Sequence, residues 1–417
     1  MRQGATILIA VFLAKSPLST EEIGIYEMLL YIGFTLTTFW VTGLMQGFLA
    51  QYPQLPKEQQ PTFLFNAYLL FLLASSLVLA LMIWGKAGIL IVLTGQPELP
   101  YYELFAVFLW LNVPAYLVEN FYLVLRKPRS IFCFGLFAFG LQALAVLAPV
   151  FLGYGLLWSF YALLALGILK YAWLALQLAR WGAFKLDVGL ALRWASLSIP
   201  LMLYALMGSF NQSFDNWLVN FWFKGDEHAF AIFRYGAREL PLALALTNAF
   251  SSAMLPEVAA NLPVALASIR KKSLKLFHLL FPLSIGLALA SGWVFPLVFN
   301  EDFRASVPVF NLFLLVLVSR LIFSRTILVG LNANRMIFYI SILELAFNVA
   351  LSFALVPFLG LSGIAIGTVA AYSLEKALLC WYLYRKFGIG IGQYTDMRWY
   401  LAYSALLILS FVAAFLR

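Results

Sequence analysis

The sequence predicts an all-α polytopic membrane protein: two six-helix lobes related by a parallel pseudo-repeat around a central cavity, with about one extra C-terminal helix. Three observations predict it. Of the 417 residues, 64% are hydrophobic and 11% charged, whereas soluble domains carry about a quarter charged residues. Such a chain cannot coat a globular surface with polar side chains, which excludes a soluble enzyme, a nucleic-acid-binding domain and a disordered protein. Apolar runs recur, most of them near the about 17–25 residues that cross a bilayer as a helix. The two halves also overlay at an offset of about 206 residues: Glu119 falls on Arg325, Arg129 on Arg335, Lys170 on Lys376 and Gly182 on Gly388.

The spans run over 3–14, 22–47, 62–84, 101–125, 131–152, 155–177, 194–223, 229–256, 274–299, 306–329, 336–357, 361–384 and 399–416. They are continuous rather than alternating, so they are helices and not barrel strands. The first is short. Arg2 alone makes a weak signal-peptide n-region and further apolar helices follow at once, so this stretch reads as a helix tip. The organisation is then 1–182 as one six-helix lobe, 190–388 as the second, and 399–416 as the added helix, with the basic segment from Arg180 to Arg193 as the joint. An offset spanning six helices keeps the two repeats in the same orientation, related by an axis along the membrane normal.

Lysine and arginine in short loops set the orientation. With the N-terminus inside, the cytoplasmic side carries Arg2, Lys57, Arg126, Lys127, Arg129, Arg180, Lys185, Arg193, Arg270, Lys271, Lys272, Lys275, Arg335, Arg385, Lys386 and Arg398. The outer side carries Lys15, Lys86, Lys224, Arg304 and Arg417. Much of the net charge of +9 is thus a topology signal, and the location is the cytoplasmic (inner) membrane, multi-pass, N-terminus cytoplasmic.

Cys133, Cys380, His228 and His278 form no ligand cluster, so neither metal nor cofactor is expected. There is no GxSxG, no GxxxxGK[ST] and no HExxH. ATP hydrolysis within the chain is excluded, no nucleic acid is expected as partner, and the chain reads as a transporter rather than an enzyme.

Ionisable residues inside spans are costly and face partners or cavities. Six are cationic (Lys170, Arg234, Arg238, Arg320, Arg325, Lys376) and six acidic (Glu27, Glu119, Asp215, Glu239, Glu344, Glu375). Polar stripes at helical spacing run through Asn112, Tyr116, Glu119 and Asn120; through Asn211, Gln212, Asp215, Asn216 and Asn220; through Arg234, Arg238, Asn248 and Ser252; and through Ser341, Glu344, Asn348 and Ser352. One reading is structural pairing by depth, Asp215 with Arg238, Glu344 with Arg320 and Glu119 with Lys170. The other is that Arg234 and Arg238, one helical turn apart, offer forked donors to a diphosphate. Arg320 and Arg325 lie about 140° apart around a helix and do not face one ligand. Pro114, Pro149, Pro200, Pro241 and Pro282 are kink points or tolerated packing features.

The stretch Ala231 to Ala237, with Leu240 and Met254-Leu255-Pro256, resembles the eighth helix of polysaccharide repeat-unit flippases. Gly330 to Arg335, Asn348 and the turn Pro357 to Thr368 are similar to the C-terminal half of that family, within the multidrug/oligosaccharidyl-lipid/polysaccharide exporter superfamily. The resemblance implies two lobes around a cavity. It implies flipping of polyprenyl-diphosphate-linked oligosaccharide repeat units across the cytoplasmic membrane, in cell-surface polysaccharide or lipopolysaccharide biosynthesis. By matching position it offers Arg234, Arg238 and Arg320 as substrate-binding residues. Asp215, Glu119 and Glu344 are the candidates for ion coupling or structural pairing. The implied partners are the lipid-linked oligosaccharide, membrane lipids and a polysaccharide polymerase or glycosyltransferases. Two alternatives stand beside it: a cation-coupled multidrug exporter of the same superfamily, and an integral-membrane glycosyltransferase or polymerase, for which the outer loop at 85–100 is short.

Overall fold

A computed structural model of the chain describes residues 2–415. Arg417 and the side chain of Arg2, both used above for orientation, lie outside the described residues, as does residue 416. The described residues contain helices and no strand. Twelve helices are long and apolar enough to cross a membrane, and Gly4–Ala14 is a shorter apolar one.

The chain divides into two compact units, Met1–Ala231 and Ile232–Arg417. The first holds α1 (Arg2–Ala14), α2 (Thr20–Gln51), α3 (Gln60–Trp84), α4 (Lys86–Thr94), α5 (Tyr102–Ala115), α6 (Leu117–Val124), α7 (Pro128–Phe151), α8 (Gly155–Trp181) and α9 (Val188–Trp222). Helix α10 (Glu227–Gly236) crosses the division. The second unit continues with α11 (Pro241–Ala260), α12 (Leu262–Val298), α13 (Val307–Leu314), α14 (Val316–Arg320), α15 (Ser324–Gly330), α16 (Asn334–Leu359), α17 (Leu361–Phe387), α18 (Ile391–Tyr394) and α19 (Met397–Phe415).

Local chemistry sets the helix starts. Ser19 and Glu22 form a reciprocal capping box at α2, with Glu22 N–H donating to Ser19 Oγ at 3.2 Å and Ser19 N–H to Glu22 Oε2 at 3.0 Å. Asp187 Oδ1 accepts the Leu190 N–H at 2.9 Å and starts α9. The joint between Arg180 and Arg193 is tied to α3: Asn66 Nδ2 donates to the Lys185 carbonyl at 2.9 Å, and Asp187 N–H donates to Asn66 Oδ1 at 3.0 Å.

In the first unit α2 packs lengthwise on α9. Glycine permits the approach: a Cβ on Gly43 would lie 2.5 Å from Met202 N, and one on Gly47 would lie 2.1 Å from Ser198 Oγ. Small residues one turn apart are how membrane helices reach backbone contact. This packing keeps α9 with the first unit by contact, although the repeat places a lobe boundary at 182–190. In the second unit α16 pairs with α17 and α12 with α19. Outward-facing Leu77, Leu176 and Leu409 are 63%, 72% and 63% exposed, as lipid-facing side chains are.

The element boundaries repeat at the offset of about 206. Pro128–Phe151 and Gly155–Trp181 correspond to Asn334–Leu359 and Leu361–Phe387. The interruption between α5 and α6 at Tyr116 corresponds to the interruption between α14 and α15 at 321–323.

Three expected helices are interrupted. The 101–125 span breaks at Tyr116, the 306–329 span at Leu315 and 321–323, and the 229–256 span at 237–240. Proline explains the last. Pro241 opens α11 with no N–H to donate, and it holds Leu240 at φ −57°, ψ 111°, outside the helical region. The face drawn through Arg234, Arg238, Asn248 and Ser252 is therefore not one helical stripe. Pro114 borders the Tyr116 break, whereas Pro149, Pro200 and Pro282 lie inside continuous helices. The 85–100 segment, read as a loop, contains α4.

Candidate functional site

The polar groups inside the spans collect in each unit at helix interruptions and facing helix pairs. In the first unit Lys170 on α8 is 4% exposed. Its Nζ donates to Asn112 Oδ1 at 3.1 Å and to Gln142 Oε1 at 3.3 Å, and Asn112 Nδ2 donates to Tyr116 Oη at 3.1 Å. Gln142, an amide on α7, was not singled out in the sequence. Glu119 sits in the first turn of α6, beside the Tyr116 break, and Asp215 on α9 is buried. Thr35 and Ser213 hydroxyls meet at 3.2 Å between α2 and α9, two residues before Asp215.

The second unit holds Arg234, Arg238 and Arg320. Arg234 lies half-buried in the last turn of α10. Arg238 lies in the unwound segment after it, with its guanidinium 4.5 Å from the centre of the Tyr235 ring, a cation–π contact. Arg320 is the last residue of α14. Its Nη2 is ion-paired with Glu239 Oε2, and the two side chains are 21% and 23% exposed. Glu239, not Glu344, is thus the carboxylate that meets Arg320. Matching by depth compares heights along the span and is blind to which helix faces which. Arg320 Nε is sealed from solvent with no hydrogen-bond acceptor among the described residues.

The two interruptions that carry this pair are anchored separately. Above it, Ser306 Oγ donates to the Ile232 carbonyl at 2.8 Å, and the Tyr235 and Phe303 rings stack at 4.2 Å. These contacts join α10 to the segment leading into α13. Below it, Phe250 meets Phe323 at 4.3 Å and Thr326 Oγ1 donates to Ser251 Oγ at 3.0 Å, joining α11 to α15. Lys272 Nζ binds Glu257 Oε1 at 2.7 Å at the charged end of α11. Glu239 lies just before the opposite end of that helix, which is about 30 Å long at about 1.5 Å per residue.

Arg325 is separated from Arg320 by the break at 321–323, so the angle of a continuous helix does not describe the two. Arg325 Nη1 pairs with Glu375 Oε1 on α17 at 3.2 Å. Glu344 and Asn348 are buried on α16. Ser352 Oγ donates to Asn348 Oδ1 at 3.0 Å, and Thr368 Oγ1 to the Ile364 carbonyl at 3.3 Å, so the α16–α17 interface has a polar interior. No group of three or more His, Cys, Asp and Glu side chains placed to hold a metal ion occurs among the described residues.

Chemically, the second unit offers forked cationic donors and a single ion-paired carboxylate at two helix interruptions. Irregular backbone at membrane depth is tolerated where it is buried in protein or lines a cavity. Discontinuous helices are where secondary transporters form their sites.

No protein-family model matches the chain. No curated protein matches its sequence either. Solved structures do. The chain is similar to the lipid II flippase MurJ in an inward closed conformation, with a TM-score of 0.73 at 16% identity, covering 98% of this chain and 95% of that one. It is similar to an inward-facing multidrug resistance MATE family transporter of the MOP superfamily, with a TM-score of 0.67 at 14% identity over 92% and 94%. A MATE structure in complex with MaD3S gives 0.59 at 16% identity over 92% of each chain. The protein is a polytopic membrane protein with the fold of these flippase and MATE transporter structures. The likeness extends over nearly the whole chain, so the fold expected from the resemblance is the fold found.

Proposed function

We propose that the chain flips a polyprenyl-diphosphate-linked oligosaccharide repeat unit from the cytoplasmic to the outer leaflet of the cytoplasmic membrane, for a cell-surface polysaccharide such as lipopolysaccharide. The moving bodies in this reading are the lobes 1–182 and 190–388, alternating access, with the helix at 399–416 as an addition. The N-terminus lies in the cytoplasm. A polymerase or glycosyltransferases supply or consume the lipid-linked substrate.

The observation that carries the reading is the placement of Arg238 and Arg320 at helix interruptions within the apolar runs 229–256 and 306–329 of the sequence, with Arg234 four residues before Arg238. An arginine in a membrane span is costly, and the guanidinium stays ionised and matches phosphate oxygens bidentately. A diphosphate headgroup is the part of a lipid-linked sugar that such donors recognise. The whole-length likeness to a lipid II flippase supports the same substrate class.

Liposomes containing the purified protein and a fluorescent polyprenyl-diphosphate disaccharide test it. We expect the wild type to move the lipid between leaflets and Arg238→Ala/Arg320→Ala to move it at least about tenfold more slowly, one lost charged hydrogen bond being worth about 1.5–3 kcal/mol. Equal rates for wild type, double variant and empty liposomes would sink the assignment.

A second reading, a cation-coupled drug exporter, is favoured by the buried carboxylates Asp215 and Glu344 together with the likeness to MATE transporters. In it these acids, with Glu119, carry the coupling ion. Efflux of a cationic dye by vesicles that leave the diphosphate lipid unmoved would select it.

A further inference from the structure

We infer that Glu239 is an internal stand-in for the substrate's phosphate: it occupies Arg320 in the empty protein, and an incoming diphosphate takes its place, unpinning two helix interruptions together. The inference rests on the diphosphate reading above and adds the residue that makes recognition drive movement.

The geometry has three parts. Both α10–α11 and α14–α15 are interrupted, at 237–240 and at 321–323. Before the first break, α10 is bound to the segment leading into α13 through Ser306, Ile232, Tyr235 and Phe303. After the breaks, α11 is bound to the start of α15 through Phe250, Phe323, Ser251 and Thr326. The two breaks therefore meet at a level between two separate sets of contacts. The Glu239–Arg320 ion pair joins one interruption to the other at that level. A bend at one interruption without the other would pull this pair apart, so the pair holds the two in step.

The pair is also exchangeable. Both side chains keep about a fifth of their surface exposed, so a ligand can reach them. Arg320 is under-used: Nη2 serves Glu239 while Nε is sealed without an acceptor. Buried donors ordinarily find partners. A phosphate offers three oxygens where the carboxylate offers two, and can serve Nε and Nη2 together as a forked acceptor. Arg238, next in sequence to Glu239 and held over Tyr235, adds a second cation in the same segment. A doubly charged group exchanges well against one carboxylate at such a place; a neutral or cationic compound gains nothing by displacing it. Glu239 thereby sets specificity for anionic headgroups while Arg320 binds them.

Hydrogen–deuterium exchange on the full chain in lipid nanodiscs tests this, read on peptides covering 237–240 and 321–323, with farnesyl diphosphate as the probe. We expect the wild type to exchange slowly at both segments without probe and faster at both with it. We expect Glu239→Gln to exchange about tenfold or more faster at both segments without probe, with no further response. Glu239→Asp, which keeps the charge, should stay near the wild type and show that the fold tolerates a change there. Glu375→Gln, which breaks the Arg325 pair just past the second interruption but touches neither Glu239 nor Arg320, should leave both segments slow.

If Glu239→Gln loosens 237–240 and leaves 321–323 protected, or if Glu375→Gln loosens both equally, the pin is overturned, while probe binding by the wild type would keep the diphosphate reading. If the wild type binds the probe, as read by a thermal shift, without loosening either segment, the displacement is overturned. If the wild type does not bind the probe at all, the diphosphate reading itself fails.

Discussion

Residues 20–182 and 226–388 are two versions of one design, and they differ where it matters for function. At the shared offset, Gly33 in α2 stands where Glu239 stands in the second version, and Pro114 stands where Arg320 stands. The first version has no charge at either place. A Cβ on Gly33 would lie 2.8 Å from Phe105 Cζ, so α2 and α5 meet there by ring-on-backbone packing. Helix α2 stays continuous through that level, whereas its counterpart is cut into α10 and α11. Phe105 is itself held against Phe108 and Phe160. The first version is filled by a ring here and breaks only α5, at Tyr116; the second breaks both partners and joins them by an ion pair. The lesson is that two copies of one scaffold can differ in kind at a single contact, packing in one and charge in the other.

The most damaging way to break the comparison is to put the second version's carboxylate into the first. Gly33→Glu places an unpaired charge against a buried ring. An uncompensated buried charge costs about 3–5 kcal/mol, and the overpacking adds about 1–3 kcal/mol. We expect little monodisperse protein by size-exclusion chromatography. Adding Pro114→Arg should not rescue it, because the Phe105 ring fills the space the pair would need. Recovery in the double variant would show that the two versions are interchangeable.

A smaller effect is expected from the second version itself. Arg320→Met leaves Glu239 without its partner and should lower stability by about 2–4 kcal/mol, toward the range for breaking a buried pair. Arg320→Met/Glu239→Leu removes both charges, and apolar replacement of a whole pair is often neutral or stabilising. The double variant should therefore melt within a few degrees of the wild type and still fail to move the diphosphate lipid. Normal flipping by it would separate the pair from function.

Much of the architecture was legible because a bilayer turns hydrophobicity into length: each run long enough to cross became a helix or an interrupted helix, and the offset of about 206 was readable from Lys170 and Lys376 or Gly182 and Gly388. The interruptions were less so. Pro241 signalled the one at 237–240, directly after Arg238 and Glu239. The segment Leu321-Ile322-Phe323 contains neither proline nor glycine, and its break is held by tertiary contacts of Arg320 and Phe323. Arg234, Arg238 and Arg320 could be chosen from charge alone. Glu239 could not be matched to Arg320 without knowing which helices face each other. The apolar run of α4 was visible, but at nine residues it is too short to cross and so passed as loop.

The mildest prediction separates the two versions by chemistry rather than by fold. Lys170 is a buried cation in the first version, as Arg320 is a half-buried one in the second. It is 4% exposed and donates to the amide oxygens of Asn112 and Gln142, deep among packed helices. Lys170 also projects as a single ammonium, a compact point charge rather than a fork. We therefore read it as a structural tie between α5, α7 and α8. Lys170→Met keeps the length of the side chain and leaves two amide oxygens without this donor, at about 1–3 kcal/mol. The melting temperature should fall, and translocation of the diphosphate lipid, measured per folded molecule, should stay within about twofold of the wild type. A loss as deep as that of Arg320→Met would place a working cation in the first version too. The contrast between a filled copy and an exchangeable one would then have to be drawn elsewhere than in its charges.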